Sequence, residues 1–211
     1  MMRGVLVMLG LLTLAFVWLG PLTSLVPGPF SAHMTMHMGV VAVAAPLIAL
    51  GVAGGRLDPV RKAPSLFPPI PASIVELVAV WAWHAPGPHH LARHSTLWLA
   101  VEQGTFLLSG LLVWLSAFGG DVRVRDNRAG AGIGALLLTS MHMTLLGALL
   151  ALPPRPLYEH HGHVASRLTL LEDQHLGGAI MLVVGGISYV AGGLWLLKGL
   201  LRDRRALEPG R

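Results

Sequence analysis

Two histidines and three methionines lie within nine residues, in the stretch SAHMTMHMG at 31–39. His33 and His37 are four residues apart, a spacing that places both imidazoles on one face of a helix. Met34 and Met38 repeat this spacing on the adjacent stripe. Imidazole and thioether groups together suit copper, Cu(I) above all, whereas hard cations prefer carboxylate oxygens. The stretch therefore predicts one wall of a copper site.

A third histidine, His84, stands where another apolar segment ends. Trp83 precedes it, and Pro86 and Pro88 follow it. Tryptophan is enriched at membrane interfaces, and a helix usually ends before the residue that precedes a proline. His84 is therefore predicted to lie at a fixed helix end, which is a good position for a metal ligand.

The stretch EDQHLGGAIM at 172–181 carries groups of the same kind. Asp173 and Met181 are eight residues apart and share a helical stripe, and His175 lies between them. Asp173 is also placed to cap the N-terminus of this helix by accepting hydrogen bonds from unpaired backbone N–H groups. The stretch predicts a helix start that faces the same site.

The predicted site is a metal centre shared by several helix ends. Its candidate ligands are histidine, methionine and aspartate side chains: His33, His37, His84, His175, Met34, Met38, Met181 and Asp173. His33 and His37 are the predicted core ligands, His84 or His175 closes the site, and the methionines are soft auxiliary ligands. Asp173 is predicted to orient an imidazole. In the alternative interpretation, the histidines are interfacial anchors and the methionines only fill space in the membrane.

Six apolar segments must position these residues. The chain has 211 residues, of which 54% are hydrophobic and 12% charged, a composition far from that of a soluble domain. A helix needs about 20 apolar residues to cross a bilayer. The segments that approach or exceed this length are Gly4–Leu22, Ser31–Gly54, Ile70–Trp83, Leu97–Phe118, Ala129–Leu152 and Leu176–Leu200. We predict an all-α membrane helix bundle with six transmembrane helices, forming a single integral membrane domain over residues 1–211.

The distribution of basic residues predicts the orientation, because basic loops stay on the cytoplasmic side. With six crossings, both termini lie on one side, and that side holds twelve of the fifteen Lys and Arg residues. Only Arg93, Arg155 and Arg167 fall in the opposite loops. The prediction is N-in and C-in, and none of the eleven histidines then falls in a cytoplasmic loop. A further histidine cluster belongs to the long outer loop: His160, His161 and His163.

The composition also argues against several classes of function. The chain has no cysteine, so it can form neither a disulfide framework nor a thiolate metal site. No pairing of a nucleophile with a base stands out, so we expect no enzyme activity. No basic patch with interleaved aromatic residues suggests nucleic acid, and the lipid bilayer accounts for the basic, apolar character.

Two alternatives to a copper protein remain open from the residues alone. A haem b electron-transfer protein would use histidines on facing helices as axial ligands, and His37, His84 and His142 are candidates. A copper or proton transporter would need a polar relay through the membrane, for which His142, Glu76 and Glu102 are candidates. The methionines around the histidines favour copper.

Several segments together resemble the CtaG-type cytochrome c oxidase assembly proteins, an integral membrane family associated with copper. The matching segments, in the family's order, are FSAHMTMHM, APLIALG, WAWHAPG, VEQGTFLLSGLLVW, HMTLLGALLALPPRPLY and LEDQHLGGAIM. The resemblance implies a copper-binding assembly factor, or metallochaperone, of the respiratory chain in the bacterial inner membrane, with its histidine-rich loops on the periplasmic side. Its implied partners are cytochrome c oxidase subunits and copper chaperones.

The resemblance assigns functional roles to the residues at the family's motif positions: His33, Met34, His37, Met38, His84, Asp173, Gln174 and Met181. The chain departs from the family pattern at two positions. Gln103 stands where relatives commonly have a histidine after the glutamate, and Leu182 stands where they have a tryptophan. Because glutamine is a poor substitute for a histidine ligand, the fourth helix is expected to contribute Glu102 or nothing.

Overall fold

The computed structural model describes residues 2–158 and 168–206, and every regular element within these ranges is a helix. The principal helices are α1 (Met2–Leu19), α2 (Pro29–Val52), α3 (Pro69–His84), α4 (Pro86–His94), α5 (Thr96–Phe118), α6 (Val122–Ala151) and α7 (170–206). The predicted all-α class is therefore confirmed. The histidine cluster predicted at 160–163 lies outside the described residues.

Five helices among the described residues are long and apolar enough to cross a membrane. They are α1, α2, α5, residues Arg128–Ala151 of α6 and residues Leu170–Arg202 of α7. Helix α3 has 16 residues, and at 1.5 Å per residue it is roughly 24 Å long, shorter than the ~30 Å hydrocarbon core. The chain is thus a membrane protein, and the six crossings and the N-in orientation stay predictions.

The ends of several helices meet at one end of the bundle, which we call the site end. Here α2, α5 and α7 begin, and α1, α3 and α6 finish. The start of α2 contacts the start of α7, because Phe30 N–H donates to Asp173. His33 near the start of α2 also lies beside His84 at the end of α3, with ring centroids 6.3 Å apart. Because the helices run up and down through the bundle, polar residues that are far apart in the sequence lie together at this end.

The opposite end of the bundle is tied together by one buried carboxylate, Asp58. It accepts hydrogen bonds from the backbone N–H groups of Gly54 (2.6 Å), Val60 (2.9 Å) and Gly120 (2.7 Å). Gly54 and Gly120 have φ angles of +68° and +91°, a backbone conformation that glycine adopts without steric cost. Asp58 thus joins the turn after α2 to the turn between α5 and α6.

Helices α2 and α7 each contain a π-helical segment, Gly39–Ala44 and Met181–Gly185. A π-segment interrupts the regular hydrogen-bond ladder of a helix and is frequent near functional sites. The Ala42 carbonyl accepts a hydrogen bond from Ser188 Oγ of α7 at 2.7 Å. The irregular backbone of α2 is therefore joined directly to α7, below the residues that α2 contributes to the site end.

Candidate metal centre

Four buried imidazoles meet at the site end. His33 and His37 come from α2, His84 from the last residue of α3 and His89 from α4. The ring centroids of His33 and His89 are 5.3 Å apart, as are those of His37 and His84. No more than 5% of any of these four residues is exposed. Such a cluster is a favourable set of ligands for a borderline or soft metal ion.

A buried carboxylate on α5 completes the cluster. Glu102 is fully buried, and its Oε1 lies 3.7 Å from Nε2 of His33. His33, His89 and Glu102 each offer a donor atom, and these three atoms lie within 4.8 Å of one another. Donor atoms around one tetrahedral ion with bonds of about 2.0 Å lie roughly 3.3 Å apart. A modest contraction would therefore bring all three to one ion.

His84 is held in an orientation that suits a metal ligand. Its Nδ1 donates a hydrogen bond to the Val80 carbonyl at 2.6 Å, which leaves the lone pair on Nε2. Within the described residues this buried Nε2 has no hydrogen-bond partner. A backbone carbonyl that fixes the tautomer in this way is typical of histidines that bind metals.

The end of α3 is fixed by two further features. Ala85 is extended and precedes Pro86 at the start of α4, as expected of a residue before proline. Tyr158 donates its hydroxyl hydrogen to the His84 carbonyl at 2.7 Å, and burial raises the pKa of Tyr158 to about 12. The phenol therefore stays a donor at any physiological pH and holds the backbone of His84.

His37 lies deepest in the cluster. Its ring packs edge-on against the ring of Phe106, with centroids 3.9 Å apart, and neither ring nitrogen has a hydrogen-bond partner in the described part of the chain. A buried polar atom without a partner costs free energy, on the order of 1–3 kcal/mol. Two such nitrogens beside the Nε2 of His84 indicate a position where a ligand completes the coordination.

Arg93 of α4 binds within the same cluster. Its guanidinium contacts His33 Nδ1 at 2.7 Å and Glu102 Oε2 at 2.5 Å. Burial lowers the pKa of Arg93, and the neighbouring Glu102 carboxylate opposes that shift. Because a guanidinium only donates hydrogen bonds, Nδ1 of His33 is the acceptor. The carboxylate thus has a positive partner within the protein itself.

A comparison with known protein families agrees with the sequence motifs. The family model of the cytochrome c oxidase caa3 assembly factor (Caa3_CtaG) matches residues 1–203. The chain belongs to this family. No curated protein and no solved structure matches the chain. As an oxidase assembly factor, this CtaG-family protein has a cytochrome c oxidase as its implied partner.

The structure brings together three of the predicted ligands of the CtaG-family protein, and it adds residues that sequence reasoning missed. The three are His33, His37 and His84; the additions are His89 and Arg93. Glu102, the residue expected from the fourth apolar segment, also lies in the cluster. The sequence places His89 and Arg93 in a loop, whereas Pro86 begins a helix there. Their spacing of four residues, the same as that of His33 and His37, was the available signal.

The predicted methionines lie on a different side of α2 from the imidazoles. Met34 packs over Gly177 and Met38 packs over Gly185, both on α7. Met181 is fully buried within α7 itself. Residues one position apart on a helix point about 100° apart, so the methionine stripe contacts α7 while His33 and His37 contact α3, α4 and α5. The thioethers of Met34 and Met38 thus belong to the interface between α2 and α7.

His175 and Gln174 connect α7 to the end of α6. His175 Nε2 contacts the Pro153 carbonyl at 2.9 Å. Gln174 donates to the Leu150 carbonyl at 3.0 Å and accepts from Leu157 N–H at 2.6 Å. Of the two histidines predicted to close the site, His84 therefore lies in the cluster, and His175 contacts the segment after α6.

Gln103, which replaces the histidine common in the family, supports the glutamate beside it. Its Nε2 donates to Glu102 Oε2 at 3.2 Å, and its Oε1 accepts from Trp18 Nε1 at 3.3 Å. A glutamine can do both because its amide has a donor and an acceptor. The departure from the family pattern therefore gives Glu102 a hydrogen bond and connects α5 to α1.

Asp173 caps the start of α2 instead of contacting an imidazole. Its two carboxylate oxygens accept hydrogen bonds from Phe30 N–H at 2.8 Å and Ser31 N–H at 2.9 Å. A Cβ atom on Gly28 would lie 2.1 Å from Asp173 Oδ1, so only glycine leaves room for the carboxylate. The N-terminus of its own helix is capped by Thr169 and Glu172. Asp173 thus fixes the first turn of α2, which carries His33.

Replacing Asp173 with alanine is expected to lower the free energy of unfolding by about 1–2 kcal/mol, the usual effect of losing a helix cap. Asp173→Asn keeps an acceptor and is expected to lose less. Thermal unfolding of the purified protein in detergent measures both. An Asp173→Ala protein with unchanged stability but no metal binding would instead identify Asp173 as a ligand.

Proposed function

We propose that this assembly factor binds copper in the cluster formed by His33, His37, His84, His89 and Glu102 and supplies it to a cytochrome c oxidase during assembly. The observation that carries the proposal is the buried Nε2 of His84, which lacks a hydrogen-bond partner within the described residues. The ring of His84 lies 5.3 Å, centroid to centroid, from the ring of His37, whose two nitrogens also lack partners there. This is an imidazole-rich environment closed to bulk water, as a site for a reactive metal requires.

The chemistry of the donors supports copper as the cargo. Imidazole suits copper, zinc, iron and nickel, and among divalent ions copper binds such donors most tightly. Cu(I) accepts a small number of neutral nitrogen ligands and does not need the oxygen-rich shell that Mg²⁺ or Ca²⁺ demands. We propose Cu(I) as the bound form, with its nitrogen ligands drawn from His33, His37, His84 and His89 and with Glu102 beside them.

We further propose that the site end faces the periplasm across the bacterial inner membrane. The charge distribution supports this orientation, since it places the basic residues on the opposite side. Copper chaperones on the outer side would deliver the ion, and oxidase subunits would receive it. The role is transfer without turnover, in keeping with assembly.

The test compares two double variants of the purified protein in detergent. His33→Ala with His37→Ala removes two buried imidazoles of the cluster. His90→Ala with His94→Ala removes two exposed imidazoles of α4, whose rings stack 4.0 Å apart on the other face of that helix. We expect one Cu(I) per chain in the unmodified protein and in the His90/His94 control, measured by competition with a chromophoric chelator, and none in the His33/His37 variant.

A wild-type protein that binds no more Cu(I) than the His33/His37 variant would contradict the proposal. Purification of a red protein with a Soret band would favour the haem alternative instead. In cells, the same variant should yield oxidase whose subunits assemble but contain less copper than oxidase matured with the His90/His94 control.

A further inference from the structure

We propose that the Arg93 guanidinium and the metal ion compete for one cation position, so that copper enters the cluster only when Arg93 withdraws from His33 and Glu102. The inference rests on the proposed function and adds a mechanism that sets the affinity of the site. Under this proposal, Arg93 of the same chain competes with copper for the site.

The contacts of Arg93 place it on two groups that an ion would need. One guanidinium nitrogen lies 2.7 Å from His33 Nδ1, and another lies 2.5 Å from Glu102 Oε2. Arginine stays protonated in proteins and has no lone pair to offer a metal. Two cations cannot share these partners at such distances, because like charges placed together repel each other.

Arg93 also sets the tautomer of His33 against metal binding. While Nδ1 accepts from Arg93, the proton of the neutral imidazole resides on Nε2, which faces Glu102 Oε1 at 3.7 Å. His33 then has no free lone pair for an ion. When Arg93 withdraws, the imidazole proton can reside on Nδ1, and the lone pair on Nε2 becomes free to bind the metal. Glu102 then has the metal ion in place of the guanidinium as its positive partner.

The position of Arg93 allows this withdrawal. Its side chain is 21% exposed, whereas that of Glu102 is fully buried. It belongs to the last turn of α4, next to the exposed His94 and two residues before Ser95, where the chain is extended. The guanidinium can therefore turn towards solvent while α3 and α5 keep their packing.

A competitor of this kind weakens apparent binding by the fraction of time that the site is open. If Arg93 occupies the position nine times in ten, the measured affinity is about tenfold below the intrinsic one. Weaker binding is useful to a protein that must release its cargo. The return of Arg93 to Glu102 also stabilises the empty state and favours release.

The experiment compares Cu(I) affinity in the full-length protein with Arg93→Met and Arg155→Met. Arg155 is an exposed basic residue in the segment after α6, so its replacement removes the same charge without touching the cluster. We expect Arg93→Met to bind Cu(I) at least about tenfold more tightly than the wild type and to release it more slowly to a chelator. Arg155→Met should match the wild type.

A second measurement follows the helix that carries Arg93. Hydrogen exchange of residues 86–94 is expected to quicken when Cu(I) is added to the wild type, because Arg93 leaves its partners. In Arg93→Met the exchange of this helix should not respond to Cu(I) in this way. Because the thioether introduced by Arg93→Met could itself bind Cu(I), Arg93→Gln, which removes the charge and adds no thioether, is the deciding variant. It too should bind Cu(I) more tightly than the wild type.

The outcomes separate this inference from the proposed function. Weaker or unchanged Cu(I) binding in folded Arg93→Gln, with normal binding in the wild type, would overturn the competition and make Arg93 a positioning residue. Absence of Cu(I) binding from the wild type and from every variant would instead overturn the proposed function.

Discussion

Replacement of His84 with alanine is expected to lower the Cu(I) affinity of this CtaG-family protein by roughly a hundredfold or more. Loss of a partner that only orients a metal ligand already costs 10- to 100-fold, and at the proposed site His84 provides the ligand atom itself. Its Nε2 is fixed from two sides, by the Val80 carbonyl on Nδ1 and by the Tyr158 hydroxyl on its backbone.

Competition with a chromophoric Cu(I) chelator measures this loss. His142→Ala is the matched control, because His142 is also a buried histidine, with 2% exposure, but lies in the middle of α6. Its removal should leave the affinity within a few-fold of the wild type. Equal losses in both variants would indicate a general effect of deleting buried imidazoles and would contradict a ligand role for His84.

Replacement of Glu102 with glutamine is expected to lower the free energy of unfolding by about 1.5–3 kcal/mol. Breaking a fully buried ion pair typically costs 3–5 kcal/mol, but Arg93 can turn towards solvent, so the expected loss is that of a hydrogen bond to a charged group. Here the remaining charge is Arg93, whose side chain is 21% exposed and whose ionic partner is Glu102. Thermal unfolding in detergent should show a clear fall in the midpoint temperature.

Two further proteins make this prediction specific. Glu102→Gln combined with Arg93→Met removes both charges and should recover much of the lost stability. Asp121→Asn breaks the Arg61–Asp121 pair, whose side chains are 41% and 61% exposed, and such exposed pairs contribute only about 0–1 kcal/mol. A Glu102→Gln protein as stable as Asp121→Asn would show that the buried pair contributes little.

The part of the site that could be predicted from the sequence is the part that depends on local rules. The spacing of His33 and His37 places them on one helix face, and the prolines after His84 indicate a helix end. Both rules act over a few residues and need no knowledge of the neighbouring helices. These three histidines accordingly meet in the structure.

The rest of the site could not be predicted from the sequence, because it depends on which neighbouring helix each face of a helix contacts. The methionines of α2 lie only one position from the histidines, yet that rotation turns them towards α7 and away from α3, α4 and α5. Asp173 contacts backbone groups more than 140 residues away in the chain, a pairing that no local pattern predicts. Glu102 was recognised as a costly membrane residue, but its partner Arg93 was assigned to a loop. Helix packing therefore decided the composition of the cluster.

The order of the donors along the chain has a consequence for biosynthesis. His33, His37, His84, His89 and Glu102 all precede α6 and α7 in the sequence. Chains emerge from the ribosome N-terminus first, so every donor has been synthesised before the last two helices exist. The carboxylate of Asp173, which fixes the first turn of α2, arrives only with α7. In the nascent protein, all donors of the proposed copper site are thus present before the Asp173 cap that fixes the first turn of α2.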